Sequence, residues 1–248
     1  MLKPENWSDL PMYKKITYSL PFVTPEQAKY VDKIEVKELV KGKIETAKIV
    51  RILDGPEDVT SKDLNIDWII KSSHACGQNI FVLYDIEKIK EKLRLYNRTF
   101  RIVGPEEPHY KFIKPRFFIE ERIDDYQLGK YAPAITFQLY CIHGVPYTFS
   151  LLNTKGYRVK HFFVENVSIR EMYPGKDPMY NFEIPSDQII QKMLKLAGDL
   201  SQPFEFVRMD FYLSCDQKIY LSEFTFTPNA GRRYFSDEIE MYLGKLWT

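Results

Sequence analysis

The chain has 248 residues, enough for one large domain or two smaller lobes with a real core. Its 35 basic and 34 acidic residues leave a formal charge of +1, which gives no global reason to expect nucleic acid or an anionic membrane as partner. A 44% hydrophobic and 15% aromatic composition argues against a disordered chain.

Residues 1–23 carry several prolines and no sustained period, and are expected to form an N-terminal arm. They contain no apolar signal core. The three cysteines, Cys76, Cys141 and Cys215, are widely spaced and form no CxxC pair. Together these features predict a reducing, cytoplasmic setting, without a disulfide framework or a zinc ribbon. Thr24-Pro25 has the signature of a helix start, with Thr as N-cap and Pro at the first helical position. Asp32 is placed to cap a second helix bearing Ile34, Val36, Leu39 and Val40, which Gly42 closes. Strands follow around 48–53 and 67–72. A polar loop, SSHACGQN, leads to the strand IFVLY, residues 80–84. Asp85 caps a helix with Ile86, Ile89, Leu93 and Tyr96 on one face.

Turn residues cluster between Gly104 and Pro115, which sets the expected boundary between a lobe at 24–115 and a lobe at 116–248. The second lobe opens with the strand RFFIEERI. The apolar run ITFQLYCIHGVPYTFSLL is interrupted at His143-Gly144 and reads as a hairpin, not a membrane span. After a stretch without a readable pattern to about Asn181, Ser186 caps a helix over 187–200. Two strands, FEFVRMDFYL and KIYLSEFTFT, and a last helix over 236–247 complete the chain. Helices and strands mix without regular βαβ alternation, so the fold class is α+β.

The last two strands hold the most informative constellation. A two-residue loop at Asp216-Gln217 would set Asp210 opposite Glu223 and Arg208 opposite Thr225. A four-residue loop gives the same register, and a three-residue loop does so only if a bulge restores it. Like charges directly opposite on a sheet are destabilising. Val207, Met209, Phe211 and Leu213 already supply the buried face. Two carboxylates about 5 Å apart need a shared proton or a cation. Mg²⁺ suits such oxygen ligands, with substrate phosphates completing its shell. Arg208 on the same face adds a donor for phosphoryl or acyl-phosphate oxygens. The plainer alternative is the polar outer face of an exposed hairpin.

These residues resemble the metal-binding end of ATP-grasp enzymes, and most of all the TupA-like branch found among polysaccharide-biosynthesis proteins. That branch shows Arg-x-Asp, then Gly-Lys-Ile-Tyr, then Glu-Leu-Thr-Phe-Thr-Pro. Here the matching positions are Arg208-Met209-Asp210, Lys218-Ile219-Tyr220 and Glu223-Phe224-Thr225-Phe226-Thr227-Pro228. The D-alanine–D-alanine ligases share a related pattern, with thirteen residues from the Asp to the Glu, as between Asp210 and Glu223. Thr225 stands where the wider superfamily has Asn, as it does in the TupA-like branch, and Asn229 is a possible substitute ligand. Upstream, Lys33 matches the lysine of an Asp-Lys helix. Lys71, His74 and Gly77 match a Leu-Lys-x-x-His-Gly-x-Gly pattern, with Ala75 in place of a glycine. Glu120 and Glu121 match two acids before the adenine hinge. The likeness covers about residue 30 to the end. It departs from the family at Thr136 and Gln138, where an Asp and a Lys are usual.

The resemblance implies an ATP-grasp fold of two α+β lobes with the nucleotide between them. It implies ATP and Mg²⁺, with Lys33, Lys71, His74, Gly77, Glu120 and Glu121 toward the nucleotide. Asp210, Glu223 and Asn229 would face the metal, and Arg208 the reacting oxygens. The implied activity is an ATP-dependent carboxylate–amine ligase acting through an acylphosphate on a small-molecule or glycan acceptor, in polysaccharide or cell-surface glycan modification. A phosphotransferase on the same scaffold and a non-catalytic nucleotide-binding relative are the alternatives, the latter motivated by Ala75, Thr136 and Gln138. From the residues alone, Lys71 and Glu121 fit ordinary strand-end surface positions equally well.

Overall fold

The computed structural model describes residues 2–81, 85–103, 107–155, 157–175 and 180–248. The end of the strand expected at 80–84, residues 82–84, lies outside the described residues. So do 104–106 of the turn-rich segment.

The chain opens with α1 (Met12–Ser19), α2 (Pro25–Val31) and α3 (Glu35–Leu39). Thr24 completes a capping box with Gln27 at the start of α2. The Asp32 carboxylate accepts from the backbone N–H of Ile34 and Glu35 in the turn that enters α3, where the N-cap residue is Ile34 and not Asp32 as expected. Gly42 takes the left-handed conformation that ends the turn, with φ of 77°.

Strands β1 (Glu45–Thr46), β2 (Ile49–Leu53), β3 (Trp68–Ser72) and β4 (Asn79–Phe81) precede α4 (Ile86–Val103). Next come β5 (Phe117–Glu121), β6 (Thr136–Ile142), β7 (Val145–Pro146), β8 (Thr148–Asn153), β9 (Arg158–Glu165) and β10 (Ser168–Glu171). After α5 (Asp187–Ser201), the strands β11 (Phe206–Leu213) and β12 (Ile219–Thr225) lead to α6 (Asp237–Leu246).

Two sheets result. The small one has the order β2-β5-β3-β4 and packs Ile70, Ile80, Phe117 and Ile119 against Ile89 and Leu93 of α4. The large one runs β1-β12-β11-β6-β8-β9-β10, with β7 paired to β6. One face of the large sheet carries the main core, where Val207, Met209, Phe211 and Leu213 of β11 meet Met193 and Ala197 of α5. Each such side chain is worth about 1.5–3 kcal/mol of burial.

The sheets do not divide the chain at residue 115. Strand β5 pairs with β2 and β3, so 117–121 belong to the small sheet. Residues 25–46 pack the other way. Ala28, Val31, Val36 and Val40 enter the main core, and β1 pairs with β12. The turn cluster before Pro115 marks an entry into a strand of the small sheet, not the crossing between sheets.

The arm is also more ordered than its proline content predicts. Trp7, Met12 and Ile16 pack on Phe235, Ile239, Leu243 and Trp247, covering part of the second face of the large sheet. Lys15, fully buried, donates to the carbonyls of Gly244 (2.7 Å) and Trp247 (2.6 Å), so it satisfies the end of α6. Glu240 on α6 accepts from the backbone N–H of Tyr13, Tyr234 and Phe235. A single carboxylate thus ties the arm to the segment that follows the site.

Candidate functional site

The last hairpin closes differently from the simplest expectation. Ser214 pairs with Lys218, leaving the three-residue loop Cys215-Asp216-Gln217, with Gln217 left-handed at φ 61°. Leu213 faces Ile219 and Phe211 faces Leu221, but Asp210 faces Glu223. A bulge at Ser222 takes up the extra residue and restores the expected pairing of Asp210 with Glu223 and Arg208 with Thr225. The same bulge switches parity, so Ile219, Leu221, Phe224 and Phe226 all reach the main core.

The hairpin face is not a solvated outer surface. Asp210 is 2% exposed and Arg208 8%. Arg208 forms a two-pronged bond to Asp210, Nε to Oδ1 at 2.7 Å and Nη2 to Oδ2 at 2.6 Å. Its Nη2 also donates to Thr225 Oγ1 at 3.2 Å and lies 3.5 Å from Glu223 Oε1. Thr225 in turn donates to Glu223 Oε1. Lys33 Nζ sits 3.7 Å from Glu223 Oε2 and donates to the Ala75 carbonyl at 2.9 Å. Two cations of the chain therefore already answer the two facing carboxylates. Burial opposes the charged form of Glu223, but Lys33 and Arg208 overcome it and hold the carboxyl below its ordinary value. Burial lifts the Asp210 carboxyl above its ordinary value, against the pull of Arg208.

A second buried ion cluster lies beneath the small sheet. Glu120, 4% exposed, pairs with Lys71 and with Lys37 of α3 at 2.8 Å. Burial disfavours the Glu120 charge, yet the two lysines keep its carboxyl low. Lys71 is raised, because Glu120 and Tyr212 outweigh its burial. Between the two sheets is an open cleft of about 100 Å³, walled by Ile69, Lys71, Glu121, Arg122, Thr136 and Tyr212.

Residues 14–248 match the family model for TupA-like ATP-grasp proteins. The chain belongs to the TupA-like ATP-grasp family. No curated protein matches it. Among solved structures it is similar to a carboxyaminoimidazole ribonucleotide synthase from Aspergillus clavatus complexed with ATP. That likeness has 18% identity and a TM-score of 0.51, covering 85% of this chain and 50% of that one. A biotin carboxylase complex with β,γ-ATP from Campylobacter jejuni gives 10% identity and a TM-score of 0.50, covering 86% and 43%. At these identities the likeness shows the ATP-grasp fold. The chain spans about half the length of the solved structures it matches. The family match begins at residue 14, earlier than the likeness visible in the motifs, and so includes most of α1.

Within this ATP-grasp chain the residues singled out in the sequence fall into three groups. Arg208, Asp210, Glu223 and Lys33 meet at one point. Lys71 and Glu120 meet at a second, on the cleft wall. The others lie outside these two clusters. Glu121 borders the same cleft, exposed and 3.8 Å from Lys48. His74 is fully buried, its Nδ1 accepting from the Arg116 backbone N–H at 3.3 Å, and burial lowers it to about 4. It supports the base of the loop before β4. Gly77 gives that loop its left-handed residue, at φ 67°. Ala75 has no positive φ, so the glycine usual in the family is not needed for the backbone here. Asn229 is exposed, with left-handed φ of 52°, and among the described residues no hydrogen bond joins its side chain to Asp210 or Glu223. Among the described residues no group of three or more His, Cys, Asp or Glu is placed to hold a metal. The oxygen donors present are the facing pair, which fits an ion that takes one or two carboxylates and completes its shell with phosphates.

Lys37 has no signal in the sequence: Lys33, four residues earlier, precedes α3 and meets Glu223, whereas Lys37 meets Glu120. Gln138 was noticed only as a departure. It lies opposite Asp210 in the sheet and donates to Asp210 Oδ2 at 3.5 Å.

Proposed function

We propose that this chain is an ATP- and Mg²⁺-dependent carboxylate–amine ligase acting through an acylphosphate. The carrying observation is the facing pair of a buried Asp210 and a half-buried Glu223, met by Arg208 and Lys33, on the same sheet face as the cleft-lining Tyr212 and Thr136. In this reading the nucleotide occupies the cleft, with Lys71 and Lys33 toward its phosphates and the Ser72–Asn79 loop closing over them. Glu121 lies at the open edge, in reach of a ribose hydroxyl. Asp210 and Glu223 would hold Mg²⁺, which when bound neutralises phosphate charge.

The chemistry needs positioning and charge more than a protein nucleophile. A substrate carboxylate oxygen bonds to the γ-phosphorus as the bond to the β-phosphate oxygen breaks, releasing ADP. An amine nitrogen then bonds to the acyl carbon, phosphate leaves with the C–O bond pair, and the amine gives up a proton. Arg208 is the donor for the negative oxygens in both steps. A glycan or cell-surface precursor as acceptor, and a cytoplasmic setting, belong to this same proposal through the family. No helix among the described residues is long and apolar enough to cross a membrane.

Gln138 supports a second reading, a nucleotide-binding relative without turnover. It stands beside Asp210 where the family usually has a lysine. Calorimetry with ATP and Mg²⁺ separates the readings. The ligase requires Mg²⁺-dependent ATP binding that weakens at least about tenfold in Glu223→Gln, and ADP release that needs both acid and amine. Binding without turnover favours the second reading, and no ATP binding overturns both.

A further inference from the structure

One acid beside the facing pair has no ion pair of its own. Glu107 stands half-buried at the start of the short helical turn Pro108–Phe112. Its carboxyl is raised by burial, further by Glu223, and is pulled back by Lys33 and Arg208, so it lies within electrostatic reach of the facing pair. Those two cations are engaged elsewhere, Lys33 with Glu223 and Arg208 with Asp210 and Glu223. The side-chain hydrogen bond Glu107 does receive comes from the thiol of Cys76, which is too weak a donor to balance a charge. Three carboxylates, Glu107, Asp210 and Glu223, thus share two cations, and the cluster is one positive charge short.

Tyr110 points to the same place. The Glu107 carbonyl accepts from the Tyr110 N–H at 3.1 Å, and residues three apart on such a turn share a face. The tyrosine is 6% exposed, and Lys33 Nζ lies 5.8 Å from its ring centre. Its hydroxyl makes no hydrogen bond among the described residues, whereas a buried tyrosine usually finds a partner for its O–H. Burial raises this hydroxyl well above its ordinary value, and Glu107, Glu223 and Cys76 add to the rise, so it sits among these three side chains. The space is open to solvent. Cys76 and Gly77 on one side of it are exposed, and the Glu223 side chain keeps 26% of its surface. Lys33 holds the loop at this distance from Glu223 by its bond to the Ala75 carbonyl.

We propose that Glu107, with the Tyr110 hydroxyl, receives the ammonium group of the amine co-substrate. The inference rests on the ligase reading, which requires an amine beside the phosphate end. Glu107 does not complete a metal site, since among the described residues no three His, Cys, Asp or Glu are placed to hold one ion. Mg²⁺ also arrives with a nucleotide of larger opposite charge, so the deficit stands when the phosphate end is filled. An ammonium has three N–H donors and no acceptor, and the Glu107 carboxylate and the Tyr110 oxygen offer acceptors for two of them. Such a charge-assisted bond is among the strong ones. A carboxylate in the same place would meet Glu107 and Glu223 as like charges, so this side of the site selects the amine and leaves the acid to approach from another.

The test follows binding by saturation-transfer NMR on the full chain. Glycinamide is the cationic probe, and N-acetylglycinamide is its neutral counterpart. The expected result is a saturable, millimolar response to glycinamide and none to N-acetylglycinamide. It should weaken at least about fivefold in Glu107→Gln and about threefold in Tyr110→Phe, which removes only the hydroxyl. It should also persist when Mg²⁺ and ATP are present. Absence of a saturable response up to about 0.2 M, or an equal response to N-acetylglycinamide, overturns the inference. So does a response that Glu107→Gln leaves unchanged. Displacement of glycinamide by Mg²⁺ alone overturns it too, because Glu107 would then belong to the metal site. Calorimetry with Mg²⁺ and ATP on the same sample keeps the two proposals apart: failure to bind ATP removes the ligase reading, whereas a protein that binds ATP but not glycinamide loses only the amine site.

Discussion

Arg208 lies beside the two facing carboxylates and is a counter-charge to both. Its fork holds both oxygens of Asp210, and its Nη2 reaches toward Glu223. Removing one partner of a buried pair leaves the other charge without compensation, which typically costs about 3–5 kcal/mol. Arg208→Met is therefore expected to lower the unfolding free energy by about that amount in urea titrations. The double change Arg208→Met with Asp210→Asn should recover more than half of the loss, because the stranded charge is gone. If the two losses simply add, the pair is not coupled and this account of Arg208 fails. Arg208→Lys should fall between, since one ammonium cannot reproduce the fork.

The hairpin β11–β12 shows how a single extra residue joins two incompatible patterns. Ile219 and Leu221 are odd-numbered, Phe224 and Phe226 are even-numbered, and all four enter one core. Strict alternation would drive one pair to the polar face. The bulge at Ser222 reconciles them and places Glu223 opposite Asp210. Deleting Ser222 should be no worse than altering it, because it removes the bulge and leaves Leu221 opposite Phe211 and Glu223 opposite Asp210 in strict alternation. Ser222→Ala is expected to stay within about 0.5 kcal/mol of the parent. The deletion variant should still unfold cooperatively when followed by circular dichroism. Loss of cooperative unfolding would show that the bulge itself, and not the apolar pattern on either side of it, sets the register. The site's register was legible in the sequence from a turn centred on Asp216-Gln217, although the loop has three residues and the bulge makes up the difference. Other elements were not. In the hairpin β9–β10, the first strand mixes half-buried and buried residues without a clean period of two. Its turn residue Asn166, left-handed at φ 59°, was the one local signal. The ion cluster of Lys37, Lys71 and Glu120 joins three distant segments. Propensity and spacing carry no information on that kind of contact.

Across the whole molecule, three of the four histidines are buried, in three different settings. His74 supports the loop of the small sheet, His109 lies 3.5 Å from Thr227 Oγ1, and His161 packs under aromatic rings of the large sheet. Burial lowers each to about 4 from an ordinary value of 6.5. The folded protein therefore keeps all three neutral in a range where the unfolded chain protonates them. Between pH 4 and 6.5 the unfolded state binds more protons, so stability rises with pH through that window and is full above it. At pH 5 each histidine accounts for a loss of about 2 kcal/mol relative to pH 8, or roughly 6 kcal/mol together. Urea unfolding measured from pH 8 to pH 5 should show this decline with an unchanged m-value, since the surface exposed on unfolding is the same. Lys33 acts on both His74 and His109, whereas His161 is lowered by burial alone, so the His161 contribution should add to that of the other two. Replacing His161 by Gln is expected to remove about one third of the decline and leave the rest in place. A pH profile that stays flat down to 5 would mean that these rings are charged, or reached by water, in the folded protein.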